Sequence, residues 1–210
     1  MTILEKISTA LQAGKAKDVA ALAQEALDSG ILAQDILDNG LLHGMGIIGG
    51  KFRNNEVFVP EVLIAARALN KGTEVIRPRL QEEGVKPVGK AVICTVKGDL
   101  HDIGKNLVKM MLEGVGFEVT DLGIDVSEDQ VVEAVTTLQP QVLLLSSLLT
   151  TTMNQMEVTI EALKTAGLRN NVKVMVGGAP ITQAFCDQIG ADAYTPDAAS
   201  AAEVAKSFVA

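Results

Sequence analysis

The stretch Ala91-Val92-Ile93-Cys94-Thr95-Val96, followed at once by Lys97-Gly98-Asp99-Leu100-His101-Asp102-Ile103-Gly104-Lys105-Asn106, decides how this chain folds. The first run, apolar and β-branched, reads as a buried strand, and from Gly104 onward the apolar positions return at helical spacing. His101 therefore falls on a loop at the carboxyl end of a strand, the edge where open α/β sheets bind their ligands. Asp99 stands two residues before the histidine, and Gly98 and Gly104 flank the turn. Imidazole is the commonest protein metal ligand, and a carboxylate on its second nitrogen fixes its tautomer and basicity. The same residues also describe a capped turn without metal, so this stretch alone leaves both readings open.

Downstream, short β-branched or leucine-rich runs alternate with amphipathic stretches. Strands are expected over 90–96, 117–122, 141–146, 172–176 and 192–195, with helices over 104–115, 127–138, 153–167, 180–189 and 198–209. Alternation at this spacing predicts an α/β domain with a parallel, Rossmann/flavodoxin-like five-stranded sheet. Upstream the period is helical. Ile3-Leu4, Ile7 and Leu11, then Val19, Leu22-Ala23 and Ala26-Leu27, mark two helices; a third is expected from Leu32 to Phe52 and a fourth from Pro60 to Leu80. Four helices with short connections predict a small antiparallel bundle over 1–80. Residues 81–89, Gln81-Glu82-Glu83-Gly84-Val85-Lys86-Pro87-Val88-Gly89, have linker composition, and 90–210 form the sheet domain.

The bulk chemistry removes several classes of function. The net charge is −8, and five phenylalanines and one tyrosine are the only aromatic residues. Nucleic-acid binding, which needs a basic surface and stacking rings, is not expected. No apolar run is long enough for a membrane span, and the N-terminus shows no secretion signal, so a cytoplasmic protein is expected. Cys94 and Cys186 lack metal-site spacing and read as buried thiols. His43, isolated in the third helix, reads as structural.

Two further motifs gather at the same sheet edge. The third strand runs into Ser146-Ser147-Leu148-Leu149-Thr150-Thr151-Thr152, and the fourth into Gly177-Gly178-Ala179-Pro180. Each alone is compatible with a helix cap or a turn. Together they place His101, Ser146 and the glycine pair on one binding edge.

Asp99-x-His101-x-x-Gly104, then 41 residues, Ser146-x-Leu148, then 28 residues, and Gly177-Gly178 resemble the cobalamin-binding module of methionine synthase and of corrinoid methyltransferase proteins. Gly50-Lys51-Phe52-Arg53-Asn54-Asn55-Glu56-Val57-Phe58-Val59-Pro60-Glu61 resembles the helical cap of the same proteins, so the likeness covers nearly the whole chain. It implies a four-helix cap over 1–80 and a cobalamin domain over 90–210. It further implies a cobalamin, or related corrinoid, cycling between methylcob(III)alamin and cob(I)alamin and bound base-off, with its nucleotide tail in a slot of the sheet domain.

By this resemblance His101 is the lower axial ligand of cobalt and the metal-binding residue. Asp99 accepts the hydrogen bond of its other nitrogen, and Thr152, where methionine synthase has serine, completes a relay. Ser146 meets the buried base, and Leu148, Thr150, Gly177 and Gly178 line the slot, where a side chain on either glycine crowds the tail. Gly98, Leu100, Asp102, Ile103 and Gly104 belong to the loop against the corrin, Asp102 through its backbone. Tyr194 and Ala198 contact the end of the tail. In the cap, Phe52, Val59 and Val62 cover the upper face, and Asp38 reaches the cofactor's edge. Lys97 and Lys105 meet solvent or the corrin rim.

The implied role is a methyl carrier of anaerobic one-carbon metabolism, not expected to turn over alone. Its implied partners are a substrate:corrinoid methyltransferase, a corrinoid:acceptor methyltransferase delivering to tetrahydrofolate or a thiol, and a reductive activator. Methanol, methylamines, betaines and aryl methyl ethers all stay open as donors. A cobalamin-dependent light or cofactor sensor acting through a partner protein is the alternative.

Overall fold

From Gly89 onward the apolar runs do become strands. In the computed structural model, which describes residues 1–210, β1 (Gly89–Thr95), β2 (Phe117–Asp121), β3 (Val142–Ser146), β4 (Lys173–Gly177) and β5 (Ala193–Tyr194) form one parallel sheet. The order is β2-β1-β3-β4-β5. The chain therefore winds outward in both directions from β1 and β3, which puts the topological switch point between the loops that follow these two strands.

The strands are nearly continuous apolar runs because both faces of the sheet are covered. Val92, Cys94, Leu143, Leu145, Val174 and Val176 pack against α7 (Glu128–Leu138), α8 (Asn154–Thr165) and α9 (Gln183–Ile189) in one buried cluster. Elsewhere in this unit α6 (Ile103–Glu113) and α10 (Ala198–Ser207) pack on each other. Ser127 starts α7 with a capping box, Thr182 and Asp197 cap α9 and α10, and Gly190 at φ 72° ends α9.

The preceding helices are α1 (Ile3–Gln12), α2 (Ala16–Asp28), α3 (Ala33–Asp35), α4 (His43–Arg53) and α5 (Val59–Glu82). A π-helical segment, Ile36–Leu42, joins α3 to α4 with right-handed helical dihedrals at both junctions, so residues 33–53 run as one helix. The four expected helices are all present. Pro60 occupies the first turn of α5, where its missing N–H costs nothing, and Phe58 N donates to Glu61 Oε2 at 3.1 Å. Helix α5 passes through Pro78 and ends at Glu82, inside the stretch read as linker. Ile7, Leu11, Val19, Ala23, Ile36, Leu41, Ala65 and Ile76 are fully buried core residues of these helices. One compact unit comprises Met1–Pro87 with Gly114–Gly116, and the other Val88–Glu113 with Phe117–Ala210.

Candidate functional site

The loop after β1 is shaped by its own hydrogen bonds. Asp99 N donates to the Val96 carbonyl at 3.1 Å, closing a turn in which Gly98 takes φ +80°, a conformation glycine adopts without steric cost. Asp99 Oδ1 then accepts from His101 N at 3.0 Å and lies 2.8 Å from His101 Nδ1. One carboxylate oxygen thus fixes both the backbone and the ring of the histidine. Thr95 Oγ1, at the end of β1, donates to the His101 carbonyl at 2.8 Å. The imidazole side chain is 51% exposed while that of Asp99 is 0% exposed, so the ring stands on a buried anchor with its other nitrogen free for a ligand.

The loop after β3 supplies the rest of that anchor. Asp99 Oδ2 accepts from Leu148 N at 2.8 Å, Leu149 N at 3.3 Å, Thr152 Oγ1 at 2.9 Å and Ser147 Oγ at 3.3 Å. Burial alone pushes the Asp99 carboxyl up; the amides of His101 and Leu148, the His101 ring and the Thr152 hydroxyl outweigh it and hold the group well below the usual carboxylate range. A carboxyl depressed in the folded state stabilises it above the unfolded value near 4, and that contribution is lost as pH falls through the folded value. Asp99→Asn is therefore expected to be less stable than wild type at neutral pH. The gap should narrow below about pH 4, as read by urea unfolding at both pH values.

The loop after β2 clamps the first loop from the far side. Asp125 Oδ1 accepts from Gly98 N at 2.7 Å, and Asp125 N donates to the Asp99 carbonyl at 3.0 Å. Asp125 itself sits at φ 53°, which aspartate tolerates better than most side chains. Asp125→Ala removes the acceptor and strains the backbone, so a loss of about 1–2 kcal/mol in urea unfolding is expected, with Asp125→Asn retaining more.

Lys105, read from sequence as meeting solvent or a corrin rim, does neither. It is 3% exposed and donates to Asp121 Oδ1 and Oδ2 at 2.7 and 2.6 Å and to Asn106 Oδ1 at 2.8 Å. The ion pair pins the first turn of α6 to the end of β2. The long lysine stem fills the space beneath the loop while its charge finds a partner at the strand end. Lys97 is exposed, with Nζ 3.8 Å from Glu128 Oε2. The Asp102 carbonyl accepts from Asn106 N at 2.8 Å, and Asp102 Oδ2 accepts from Asn106 Nδ2 at 3.0 Å, in the first turn of α6.

Several of the residues expected to line the slot lie at the carboxyl ends of neighbouring strands. Ser146 pairs in register with Thr95 on one side and Gly177 on the other, and Tyr194 is paired to Val176 one strand further out. A Cβ on Gly177 meets only the Thr195 carbonyl, at 3.9 Å. Gly178 differs: at φ +128° its Cβ would lie 1.8 Å from the Ser147 carbonyl oxygen. The close approach of the Ser147 main chain is by itself enough to demand glycine at 178. Leu100, Ile103 and Leu148 are exposed at 65%, 77% and 44%, giving this edge an apolar rim; Gly104 and Thr150 are exposed beside them.

Among the remaining residues expected at the site, Asp38 lies exposed in the π-helical segment, and Phe52 and Val59 are partly buried. Val62 and Ala198 are core residues at 0% and 5% exposure and present almost no surface to a ligand. His43 is exposed on the first residue of α4, and no group of three His, Cys, Asp or Glu side chains is placed to hold a metal ion. A metal here must bring most of its own ligands, with one imidazole supplied by the protein. Both cysteines are free and buried, and burial, helped by Asp121, pushes the Cys94 thiol up to about 12. Neither is a nucleophile at neutral pH.

A metallated macrocycle with a long tail fits these observations. His101 offers one ring nitrogen over a buried acceptor, the Ser146 hydroxyl makes no hydrogen bond within the chain, and a Cβ on Gly177 would touch one atom, at 3.9 Å. Residues 89–205 match the family described as B12 binding domain, and residues 3–77 match a second family of the same description. Fold and site together define a two-part B12-binding protein. The trimethylamine corrinoid protein of Methanosarcina barkeri is 49% identical over 154 residues, covering 72% of this chain and 70% of the relative. A chain in the crystal structure of the methanol:cobalamin methyltransferase complex of Methanosarcina barkeri superposes with a TM-score of 0.89 at 31% identity, covering 99% of this chain and 79% of that one. A cobalamin-binding protein from Desulfitobacterium hafniense DCB-2 gives 0.81 at 32% identity, over 99% and 98% of the two chains. The chain belongs to the corrinoid proteins, a cobalamin-binding family whose members serve methyltransferase systems. No helix is long and apolar enough to cross a membrane.

Proposed function

We propose that this protein carries a methyl group on a corrinoid bound base-off, with His101 as the lower axial ligand, between two methyltransferases. The single observation that carries the reading is the Asp99–His101 pair, 2.8 Å apart at the switch point, with the acceptor buried and the ring half exposed. When bound, the corrinoid supplies a cobalt centre able to accept and release a methyl group.

The chain's own residues divide the remaining work. His101 is oriented by Asp99, which accepts the hydrogen bond of Nδ1–H and leaves Nε2 as the ligating nitrogen. Asp99 is held by amides and hydroxyls from the β3 loop, and Asp125 and Lys105 fix the His101 loop from behind. Ser146 and Gly177, with Tyr194 beside them, line the slot for the nucleotide tail; the Ser146 hydroxyl gives the buried base a hydrogen-bond partner. Leu100, Ile103 and Leu148 form an apolar seat for the corrin face.

The partners are a donor-specific methyltransferase, an acceptor methyltransferase and a reductive activator. The relatives named for trimethylamine and dimethylamine support methylamines as the donor class. Donor choice is assigned to the partner enzyme. A cytoplasmic setting is part of the same proposal.

The test is an anaerobic absorbance titration of the apo protein with methylcobalamin and, separately, adenosylcobalamin. Tight uptake of methylcobalamin with a base-off, histidine-on spectrum is expected. A marked preference for adenosylcobalamin would favour a sensor instead, and uptake of neither would remove the reading.

A further inference from the structure

Two hydroxyls, not one, stand behind Asp99. Thr152 Oγ1 lies 2.9 Å and Ser147 Oγ 3.3 Å from the same carboxylate oxygen, Oδ2, and the two hydroxyl oxygens are 2.8 Å apart. The Leu149 carbonyl is a second acceptor for both, 3.1 Å from Thr152 and 3.3 Å from Ser147. All of this is buried: Asp99 and Ser147 are 0% exposed and Thr152 8%. Each hydroxyl has a single proton to give.

The two shortest contacts are satisfied together in one direction only. Ser147 donates to Thr152, and Thr152 donates to Asp99, a chain in which each bond polarises the next. A second arrangement uses the longer contacts: Thr152 turns to the Leu149 carbonyl and Ser147 donates to Asp99 directly. In both arrangements Oδ2 keeps one hydroxyl donor.

We infer that Ser147 is a positioning residue of the axial-ligand site, polarising Thr152 while both hydroxyls are present and taking its place on Asp99 when Thr152 is lost. The inference rests on the reading of His101 as the axial ligand. Its physical content is redundancy. A hydroxyl bonded to Asp99 weakens that carboxylate as an acceptor for His101 Nδ1–H. Losing every hydroxyl strengthens the pull on that proton and makes the imidazole a stronger ligand. One hydroxyl of the pair suffices to prevent this, so the two single losses should be small and the double loss large.

The experiment is a double-mutant cycle of Ser147→Ala and Thr152→Val on the cobalamin-loaded protein, read by spectroelectrochemistry of the cob(II)/cob(I) couple. Apo melting curves confirm that each variant folds. Each single variant is expected to change axial affinity by less than about threefold, and the double by about tenfold or more toward tighter ligation. Tenfold corresponds to ~59 mV to more negative potential for a one-electron couple. A double variant matching Thr152→Val, simple additivity of the two single effects, or a shift to weaker ligation would overturn the role of Ser147. Wild-type protein without a histidine-ligated signal is a different result: it would remove the His101 reading itself.

Discussion

His101→Ala is expected to leave the apo protein folded while abolishing the histidine-ligated spectrum of bound cobalamin. The ring is half exposed, and its one side-chain bond is to Asp99, whose carboxylate keeps the Leu148 and Leu149 amides, a hydroxyl of the β3 loop and the His101 amide as donors. Removing one of several donors to that carboxylate should change unfolding free energy by no more than about 1–2 kcal/mol. The effect on the cofactor is of another order, since no other imidazole, thiolate or carboxylate cluster stands ready to replace it. Free imidazole added to the variant should restore the ligated spectrum, because Asp99 remains to orient it. An unchanged spectrum in the variant would show that His101 is not the ligand.

The second large effect separates two adjacent glycines. Gly178→Ala places a Cβ 1.8 Å from the Ser147 carbonyl oxygen on a backbone at φ +128°. Overlap with main chain cannot be relieved by a rotamer, so a loss of about 3 kcal/mol or more is expected in apo unfolding. Ser147 anchors the Asp99 network, so the same shift should disturb the His101 loop. At Gly177 the nearest atom to an added Cβ is the Thr195 carbonyl at 3.9 Å, and valine suits a strand. Gly177→Val should therefore keep the apo stability and lose cobalamin affinity by roughly 10- to 100-fold, equivalent to a crowding cost of about 1–3 kcal/mol. Normal retention by the stable Gly177→Val protein would place the tail slot elsewhere.

These glycines also show what could and could not be read in the sequence. That Gly177-Gly178 ends a strand at the binding edge is a local pattern, legible from the apolar run before it. That Gly178 is required by the Ser147 carbonyl is a tertiary fact, because the two residues lie on loops after different strands. The strands themselves were legible within a residue or two, since a sheet buried on both faces needs unbroken apolar runs. Asp99-x-His101 was legible as a pair because two-residue spacing lets an aspartate bond the backbone and ring ahead of it.

Lys105 misled for the opposite reason. A lysine in a loop motif reads as solvated, and only the fold brings Asp121, at the end of β2, within 2.6 Å of it. Ser147 read as one hydroxyl in a Ser/Thr-rich loop, and no spacing rule distinguishes it from Ser146, whose side chain leaves the opposite face of the strand end. Asp125 gave a weak signal, a non-glycine residue in a turn between Gly123 and the next helix. The π-helical turn at Ile36–Leu42 left no trace in the apolar period, and α5, expected to end at Leu80, runs on to Glu82.

In the proposed complex the protein, not the cofactor's own base, supplies the lower axial nitrogen. This is tested most directly by electron paramagnetic resonance of the cob(II)alamin form in uniformly 15N-labelled protein loaded with unlabelled cofactor. Ligation by His101 predicts that the nitrogen superhyperfine splitting is the doublet of 15N, and that it disappears in His101→Ala. A triplet from 14N in the labelled protein would mean that the benzimidazole stays on cobalt, and would contradict the account.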